Sequence, residues 1–456
     1  MPIGLRRVAG VFSFDRGAVG IRAEKPVNWP PVPWRVSFIT VSRAGAGRMT
    51  DRNWGAAAPL DSIRGEIAIT GVGESAHSGP SGRKALDMAA EAIGRALDDA
   101  GLRPQDVDGL IVAGSIDDQF TPALFREYFG TRAELWFSPD GGAASRLGTA
   151  PHAAAQAVRR GEASVIVNVF GIDWATKARA QTANPGDVHL LDPMKADFEA
   201  PFGFYPQPVY FATMAQRHAY EFGTTDAQRG AFAATQRRHA NGHPDAVMRE
   251  RPLSVESFLA GPYLIDPLRK EDCCLISDGA GAFLMTSAAR ARDLPRRPVI
   301  VEGVGRGIAH SGSHIAQQRR FLDTPHVFGA AGAFEMAGLT PADVDVLAAY
   351  DCSSITAMMQ IEDMGFCPKG EIGAFAEEGR LAFDRPRRQG GLPFNTHGGM
   401  MSHSYVLGIA HVIELVRQLR GEAANQVEHA EIGVYGGYAM LETSTLVLRA
   451  GERPGA

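Results

Sequence analysis

One segment of this chain occurs twice. Residues 96–110 read Ala-Leu-Asp-Asp-Ala-Gly-Leu-Arg-Pro-Gln-Asp-Val-Asp-Gly-Leu, and residues 333–347 read Ala-Phe-Glu-Met-Ala-Gly-Leu-Thr-Pro-Ala-Asp-Val-Asp-Val-Leu. Nine of the fifteen positions are identical, at a constant offset of 237 residues. A second echo comes in the same order: Arg160-Gly-Glu-Ala163 and Arg420-Gly-Glu-Ala423, offset by 260, each follow an apolar helical run and precede an apolar strand. A pair of copies is too few for a stacked solenoid. It implies a duplicated domain with halves of unequal length and a site where the halves meet.

A chain of 456 residues is long enough for two such halves with a substantial core. Their expected spans are 65–292 and 293–456, with 171–260 an insertion that has no counterpart in the second half. A net charge of −5 with no basic stripe excludes nucleic acid as an expected partner. No apolar run is long enough to span a membrane. The four cysteines have no zinc-type spacing, so no metal site is expected, and buried free thiols in a cytoplasmic protein are the natural reading. Cys273-Cys274, before Leu-Ile-Ser, reads as the start of a buried strand. Residues 1–64 are rich in Arg, Gly and Pro, and Val27 to Trp34 favours polyproline II. They read as an extension, either disordered or, if translation starts at Met49, non-native over the first 48 residues.

Glu66 to Gly73 reads as a buried strand ending in a glycine turn. Leu86, Ala90, Ile93 and Leu97 make one apolar helix face, and Gly101 caps that helix. Gly109 to Ala113 is the next strand. Val299 to Val304 and Val346 to Tyr350 repeat the pattern, which predicts parallel strands with right-handed crossovers. Ala150–Val158 and Val406–Val416 are apolar enough to be interior helices, sandwiched between two sheets. Within the insertion, helices are expected over 207–222 and 225–240, and Phe202 to Pro206 suggests either an apolar lid or core packing.

Ligands of open α/β sheets bind beyond the carboxyl ends of the strands. That directs attention to Tyr350-Asp-Cys-Ser-Ser354 and to the glycine loops Gly141-Gly-Ala-Ala-Ser145 and Asn395-Thr-His-Gly-Gly399, the latter continuing into Ser402-His-Ser-Tyr405. A helix N-terminus there stabilises an anion or a developing oxyanion. Asp278 reads as a structural turn residue, and Asp351 as the cap of the helix that follows it.

The ordered set AGLxPxDVDxL, SDGAGA (277–282), YDCSSITAMMQIEDMGFC (350–367), GLPFNTHGG (391–399) and QLRGEA resembles the thiolase superfamily, and within it the sterol-carrier or lipid-transfer-protein branch. The resemblance covers residues 66–450. It implies a duplicated α/β fold packed as α-β-α-β-α layers, a coenzyme A thioester as substrate with no bound cofactor, and a homodimer.

The departures from the family pattern are chemical. The acyl-accepting cysteine of thiolases is replaced by the turn Gly142-Ala-Ala-Ser145, and the second cysteine loop reads Val434-Tyr-Gly-Gly-Tyr438. Tyr350 stands where a histidine opens the motif in this branch, and Ser404-Tyr405 where the other histidine lies. Without a thiolate, ping-pong acyl transfer has no nucleophile. Ser145 is either a substitute nucleophile or a helix cap. A pair of tyrosines in place of the histidines resembles the thiolase-like retro-aldolases that cleave steroid-type side chains from CoA thioesters and work with a small OB-fold/zinc-ribbon partner.

This resemblance implies proton transfer by Tyr350 and Tyr405. Either can equally be a packing aromatic, and a tyrosine base requires electropositive or donor-rich surroundings. His403 either tunes Tyr405 or is a solvated loop residue. Asn395 and the amides of Gly398 and Gly399 are candidate donors to the thioester oxygen or parts of a tight turn. His397 and Ser145 complete the substrate-contacting candidates. A family acetyltransferase and a non-catalytic acyl-CoA or lipid-binding scaffold are the alternative functions.

Overall fold

The computed structural model describes residues 53–116, 118–132, 134–180, 192–311 and 315–452. Its strands are β1 (Gly55–Ala57), β2 (Ile67–Glu74), β3 (Gly109–Ile111), β4 (Trp136–Ser138), β5 (Val165–Asp173), β6 (Tyr263–Ile265), β7 (Leu268–Arg269), β8 (Asp278–Ser287), β9 (Val299–Ala309), β10 (Val346–Ala349), β11 (Ile432–Ala439) and β12 (Glu442–Ala450). Seven helices matter here: α1 (Ala85–Ala100), α2 (Ala150–Arg159), α3 (Gln207–Phe222), α4 (Asp226–Gly242), α5 (His326–Ala337), α6 (Ser354–Asp363) and α7 (Ile409–Arg420).

The main sheet runs β10-β11-β12-β9-β2-β8-β5-β3-β4, with β1 along β9. The duplication is visible in this order. From the centre outward, β2-β8-β5-β3 is matched by β9-β12-β11-β10, with the same alternation: antiparallel, antiparallel, parallel. Strands β2 and β3 do run in the same direction, as expected of a βαβ unit. They are not neighbours, however, because β8 and β5, which come later in the chain, insert between them. A strand added from far along the sequence leaves no local signal.

Three apolar clusters build the layers. Val165, Val167 and Val169 of β5 face α1, while Ile166, Phe170 and Ile172 face the interior cluster with α2 and α7. A strand apolar on both faces is one covered on both faces. On the second half, α5 and α6 cover the outer side of β10 through Ala333, Phe334, Leu347, Met358 and Ile361. Helix α7 touches β9, β10, β11 and β12 of one half and β2 and β8 of the other. It begins at Ile409 rather than 406, because Leu407 and Gly408 adopt positive φ of 46° and 89°. Helix α2 is interior on one face only; Gln156 is half-buried and Arg159 exposed.

The glycines of β2 do not form a turn, as the sequence suggested; they lie within the strand. A Cβ on Gly71 or Gly73 would sit 2.3 Å from the Ala96 or Ala92 carbonyl oxygen of α1. Gly303 and Gly305 of β9 meet Ala333 O and Gly329 O of α5 in the same way, at 2.1 and 1.9 Å. Each half thus lays its outer helix directly on strand backbone, which only glycine permits.

Trp54 and Ile63 are buried and β1 pairs with β9, so the last part of the expected extension 1–64 belongs to the fold. Residues 1–52, and with them the question of Met49, lie outside the described residues. The insertion holds α3 and α4, the second started by a Thr225/Gln228 capping box. Phe202 is 82% exposed, so it does not pack in the core, whereas the Phe204 ring lies 4.6 Å from that of Tyr210. Asp278 ties three segments together, accepting from Ser81 N and Oγ and from Thr176 N and Oγ1. No helix among the described residues is long and apolar enough to cross a membrane.

Candidate active site

Tyr350 leaves the carboxyl end of β10, where its amide donates to Gly436 O at 2.9 Å. Gln360 Nε2 of α6 donates to its carbonyl at 2.7 Å. Tyr405 sits in the turn before α7, and its amide donates to Ser277 Oγ at 2.7 Å. Its ring lies 5.5 Å from that of Trp174. The two phenol oxygens are 3.4 Å apart. Residues separated by 55 positions are thus brought into one pair, Tyr350 buried and Tyr405 half-buried.

Both phenols are strongly perturbed. Burial pushes Tyr350 well above the usual tyrosine range, and the adjacent Tyr405 and Cys352 push it further. Burial does the same to Tyr405, with Cys274 adding to it against the hydrogen bond to Tyr350. A tyrosinate base would need electropositive surroundings, and the structure supplies the opposite. Each phenol therefore keeps its proton at neutral pH.

The thiols around the pair are equally inert. Cys274 N donates to Cys352 O at 3.1 Å, in a loop rather than at a strand start, so both cysteines flank the tyrosines. Burial pushes the Cys352 thiol up to about 12 and Cys274 well above its usual value. Neither offers the thiolate that acyl transfer requires.

Asn395 is engaged on both sides of Ala349: its Oδ1 accepts from Ala349 N at 2.9 Å and its Nδ2 donates to Ala349 O at 3.0 Å. Its side chain holds the end of β10, using its oxygen and one of its two Nδ2 hydrogens. Gly398 N donates to Asn395 O at 2.8 Å, and Gly398 and Gly399 have φ of 107° and 63°. A Cβ on Gly399 would lie 2.1 Å from Asp351 Oδ2. Asp351 is fully buried, and it does not cap α6, whose N-cap position is Ser353. Its carboxylate accepts instead from Met400 N (2.8 Å), Met401 N (3.2 Å) and His411 Nε2 (2.8 Å), so it caps the turn Gly399–Ser402 across the site.

Ser145 is buried inside the helical turn Ala144–Leu147, whose N-cap is Ala143 with no side-chain cap bond. It is therefore not the cap the sequence suggested. Val434 to Tyr438 is not a loop but the middle of β11.

The two candidate histidines are buried rather than solvated, both at 1% exposure. His403 Nδ1 meets Ser404 Oγ at 2.9 Å, and its ring packs against His77, His243 and His397. His397 in turn lies 4.7 Å from His411. The groups acting on the Tyr405 hydroxyl are Tyr350, Cys274 and Cys352, not His403. The sequence reading missed His77, His243 and His411. For His411 a signal existed: a histidine and a glutamate inside a helix otherwise apolar all round.

A duplicated sheet with two interior helices, and a site at the carboxyl end of β10, define a protein of thiolase fold. The family described as thiolase C-terminal domain-like matches residues 307–450. The chain is 35% identical over 394 residues to a 17-hydroxy-3-oxo-4-pregnene-20-carboxyl-CoA lyase of Mycobacterium tuberculosis, covering 85% of this chain and 100% of that one. It is 33% identical to a steroid side-chain-cleaving aldolase of Thermomonospora curvata, covering 80% and 93%. An acetyl-CoA acetyltransferase of Methanothermobacter thermautotrophicus is 32% identical, covering 81% and 95%. Among solved structures, an Ltp2-ChsH2(DUF35) aldolase superposes with a TM-score of 0.78 at 30% identity, over 86% of this chain and 99% of that one. The chain belongs to the thiolase superfamily, in the branch that holds these lyases and aldolases.

Proposed function

We propose that the protein is a carbon–carbon lyase that cleaves a bulky β-hydroxyacyl-CoA, of steroid side-chain type, into a ketone or aldehyde and a shorter acyl-CoA. The observation that carries this is the Tyr350–Tyr405 pair, its phenol oxygens 3.4 Å apart, in surroundings that push both phenols and the neighbouring thiols up. Similarity to a CoA-thioester lyase and to side-chain-cleaving aldolases supports the same reading.

Retro-aldol cleavage moves one proton and one electron pair. The β-hydroxyl gives up its proton, its oxygen lone pair forms the new C=O bond, and the Cα–Cβ pair passes to the thioester enolate. Cα then takes a proton. Two hydrogen-bonded phenols can carry this exchange. One accepts the hydroxyl proton while passing its own to the other, which delivers a proton to Cα. Neither becomes a free tyrosinate, which reconciles proton transfer with raised pKa values. No electron leaves the substrate, so the reaction needs no resident redox cofactor.

In this reading Tyr350 and Tyr405 touch the reacting atoms. His403, His397, Asn395, Gly398, Gly399 and Ser145 shape the walls around them. A small OB-fold/zinc-ribbon partner, a homodimer and a cytoplasmic location complete the proposal. The superposition on an Ltp2-ChsH2(DUF35) assembly supports the partner.

Incubation with a tertiary β-hydroxyacyl-CoA, with and without such a partner, tests the reading. Release of a ketone with a shortened acyl-CoA is expected. Acyl exchange between CoA thioesters with no cleavage would overturn it in favour of the acetyltransferase alternative, and binding without turnover in favour of a scaffold.

A further inference from the structure

Five buried histidines, His77, His243, His397, His403 and His411, form a continuous chain of ring contacts with centroids 4.7 to 5.0 Å apart. Five of their ring nitrogens are buried with no protein partner: His77 Nδ1, both nitrogens of His397, His403 Nε2 and His411 Nδ1. A buried polar atom without a partner costs about 1–3 kcal/mol. So many in one place mean that something other than protein fills the space.

At one end of this chain the donor set changes character. Glu74, His77 and His403 bring one carboxylate oxygen and two imidazole nitrogens within 4.8 Å of one another. We propose that these three residues bind a divalent transition-metal ion of the zinc class. Glu74 Oε1 and His77 Nε2, hydrogen-bonded at 3.0 Å, are close enough to share one ion at about 2.0–2.2 Å from each. The side chains of His77 and Glu74 are 1% and 9% exposed, and His403 is 1% exposed.

The neighbouring side chains orient these three residues and balance their charge. Arg417 Nη1 binds the other Glu74 oxygen. Ser404 Oγ takes the other ring nitrogen of His403 at 2.9 Å and fixes its orientation. Arg417 itself faces Glu414 and Asp245 as well as Glu74, so three carboxylates offset the positive charge of ion and guanidinium. His243 closes the site with its ring 4.7 Å from His403. Glu74 ends β2 and His77 follows it in the first half, whereas His403 lies in the second. A bound ion would therefore staple the halves together through the turn that carries Tyr405.

The test is independent of the proposed activity. The full chain is stripped with a chelator, dialysed, and titrated with Zn²⁺ by thermal shift and with Co²⁺ by visible absorption. One ion per chain is expected, with Co²⁺ d–d bands and a Tm that rises with free metal. His403→Gln and His77→Gln should bind at least about tenfold more weakly, since even a second-shell change costs that much. Absence of bands and of any Tm shift in the folded wild type would overturn the proposal and leave ordered water as the filler. The same uptake by the His77→Gln/His403→Gln double variant would overturn it equally. Should the variants fail to fold, the wild-type titration still decides.

Discussion

Replacing Tyr350 with Phe removes one oxygen atom and separates chemistry from stability. The phenol's hydrogen-bond partner is Tyr405 Oη, at 3.4 Å. That is long against the usual O–H···O distance of about 2.7–2.8 Å. A neutral bond is worth about 0.5–1.5 kcal/mol at good geometry, so the variant should lose no more than about 1 kcal/mol of stability. The ring stays buried and its packing is unchanged. Catalysis should respond on another scale. Positioned proton transfer contributes about 10²–10⁴-fold, equivalent to about 2.7–5.4 kcal/mol of barrier. The assay is chromatographic resolution of the starting and shortened CoA thioesters, with kcat/KM for wild type, Tyr350→Phe, Tyr405→Phe and the double variant. If the phenols work as one relay, the double variant falls no lower than the worse single variant, since groups acting as a unit are non-additive. The wild-type rate should also lack a rising tyrosine limb near neutral pH, because both phenols keep their protons there. A Tyr350→Phe enzyme within about tenfold of wild type refutes the relay, because that loss is smaller than any proton-transfer role supplies.

The remaining predictions concern the scaffold. Gly399→Ala should destabilise by more than about 2 kcal/mol, adding the cost of a left-handed backbone to a 2.1 Å clash with Asp351, whereas Gly379→Ala, left-handed at φ 68° but in open space, should cost only about 1 kcal/mol; chemical denaturation compares them. Gly305→Ala drives a methyl to 1.9 Å from Gly329 O and should separate α5 from β9 with a large loss of Tm, while Gly332→Ala on the open side of α5 should be neutral or stabilising by up to about 1 kcal/mol. Burial holds His239 at about 4 and His326 at about 3, against 6.5 when exposed. Both must take up protons on unfolding below pH 6.5, so their stabilisation is complete above that pH and falls between about 6.5 and 4, by about 1.4 kcal/mol per pH unit for each. A Tm that does not drop between pH 7 and 5 would contradict this.

Much of the fold was legible because it is written locally. The repeat at 96–110 and 333–347 marks α1 and α5 with the strands that follow them, and Gly101 and Gly338 cap both helices at φ 66°. The helices expected in the insertion over 207–222 and 225–240 are found at Gln207–Phe222 and Asp226–Gly242. The insertion of β8 between β2 and β5 was not, since nothing in Asp278–Ser287 names its neighbours. Glycines 71 and 73 were misread as a turn for a related reason. Glycine in a strand signals close approach as readily as a bend, and the approaching helix lies about twenty residues away. At the site, the family pattern led to Tyr350 and Tyr405. Their proximity and the acid-retaining environment required the thiol-bearing loops 273–274 and 352 to be placed beside them. The histidine chain was not legible as a unit because its members come from separate loops of both halves and from α7.

The symmetry of the scaffold explains where this chemistry resides. In both halves the third strand from the centre (β5, β11) is paired in parallel with the short strand that follows the repeat (β3, β10). Beyond β3 the chain passes through Ala113-Gly-Ser115, which carries no titratable side chain. Beyond β10 it passes through Tyr350-Asp351. Asp351 binds the turn before α7 through Met400 and Met401 and α7 itself through His411. Tyr405 lies between those two anchors and is pinned in addition by Ser277 from the first half. A carboxylate directly beside one tyrosine therefore holds the segment that presents the other. Asp351→Asn should accordingly disturb the distance between the phenols without touching either of them. Catalysis should fall further than stability, because removing a buried charge recovers part of its desolvation cost while the lost alignment is not recovered. If activity and Tm fell in proportion across a series of Asp351 variants, the carboxylate would be a fold determinant only, and the coupling between the turn and the tyrosine pair would have to be abandoned.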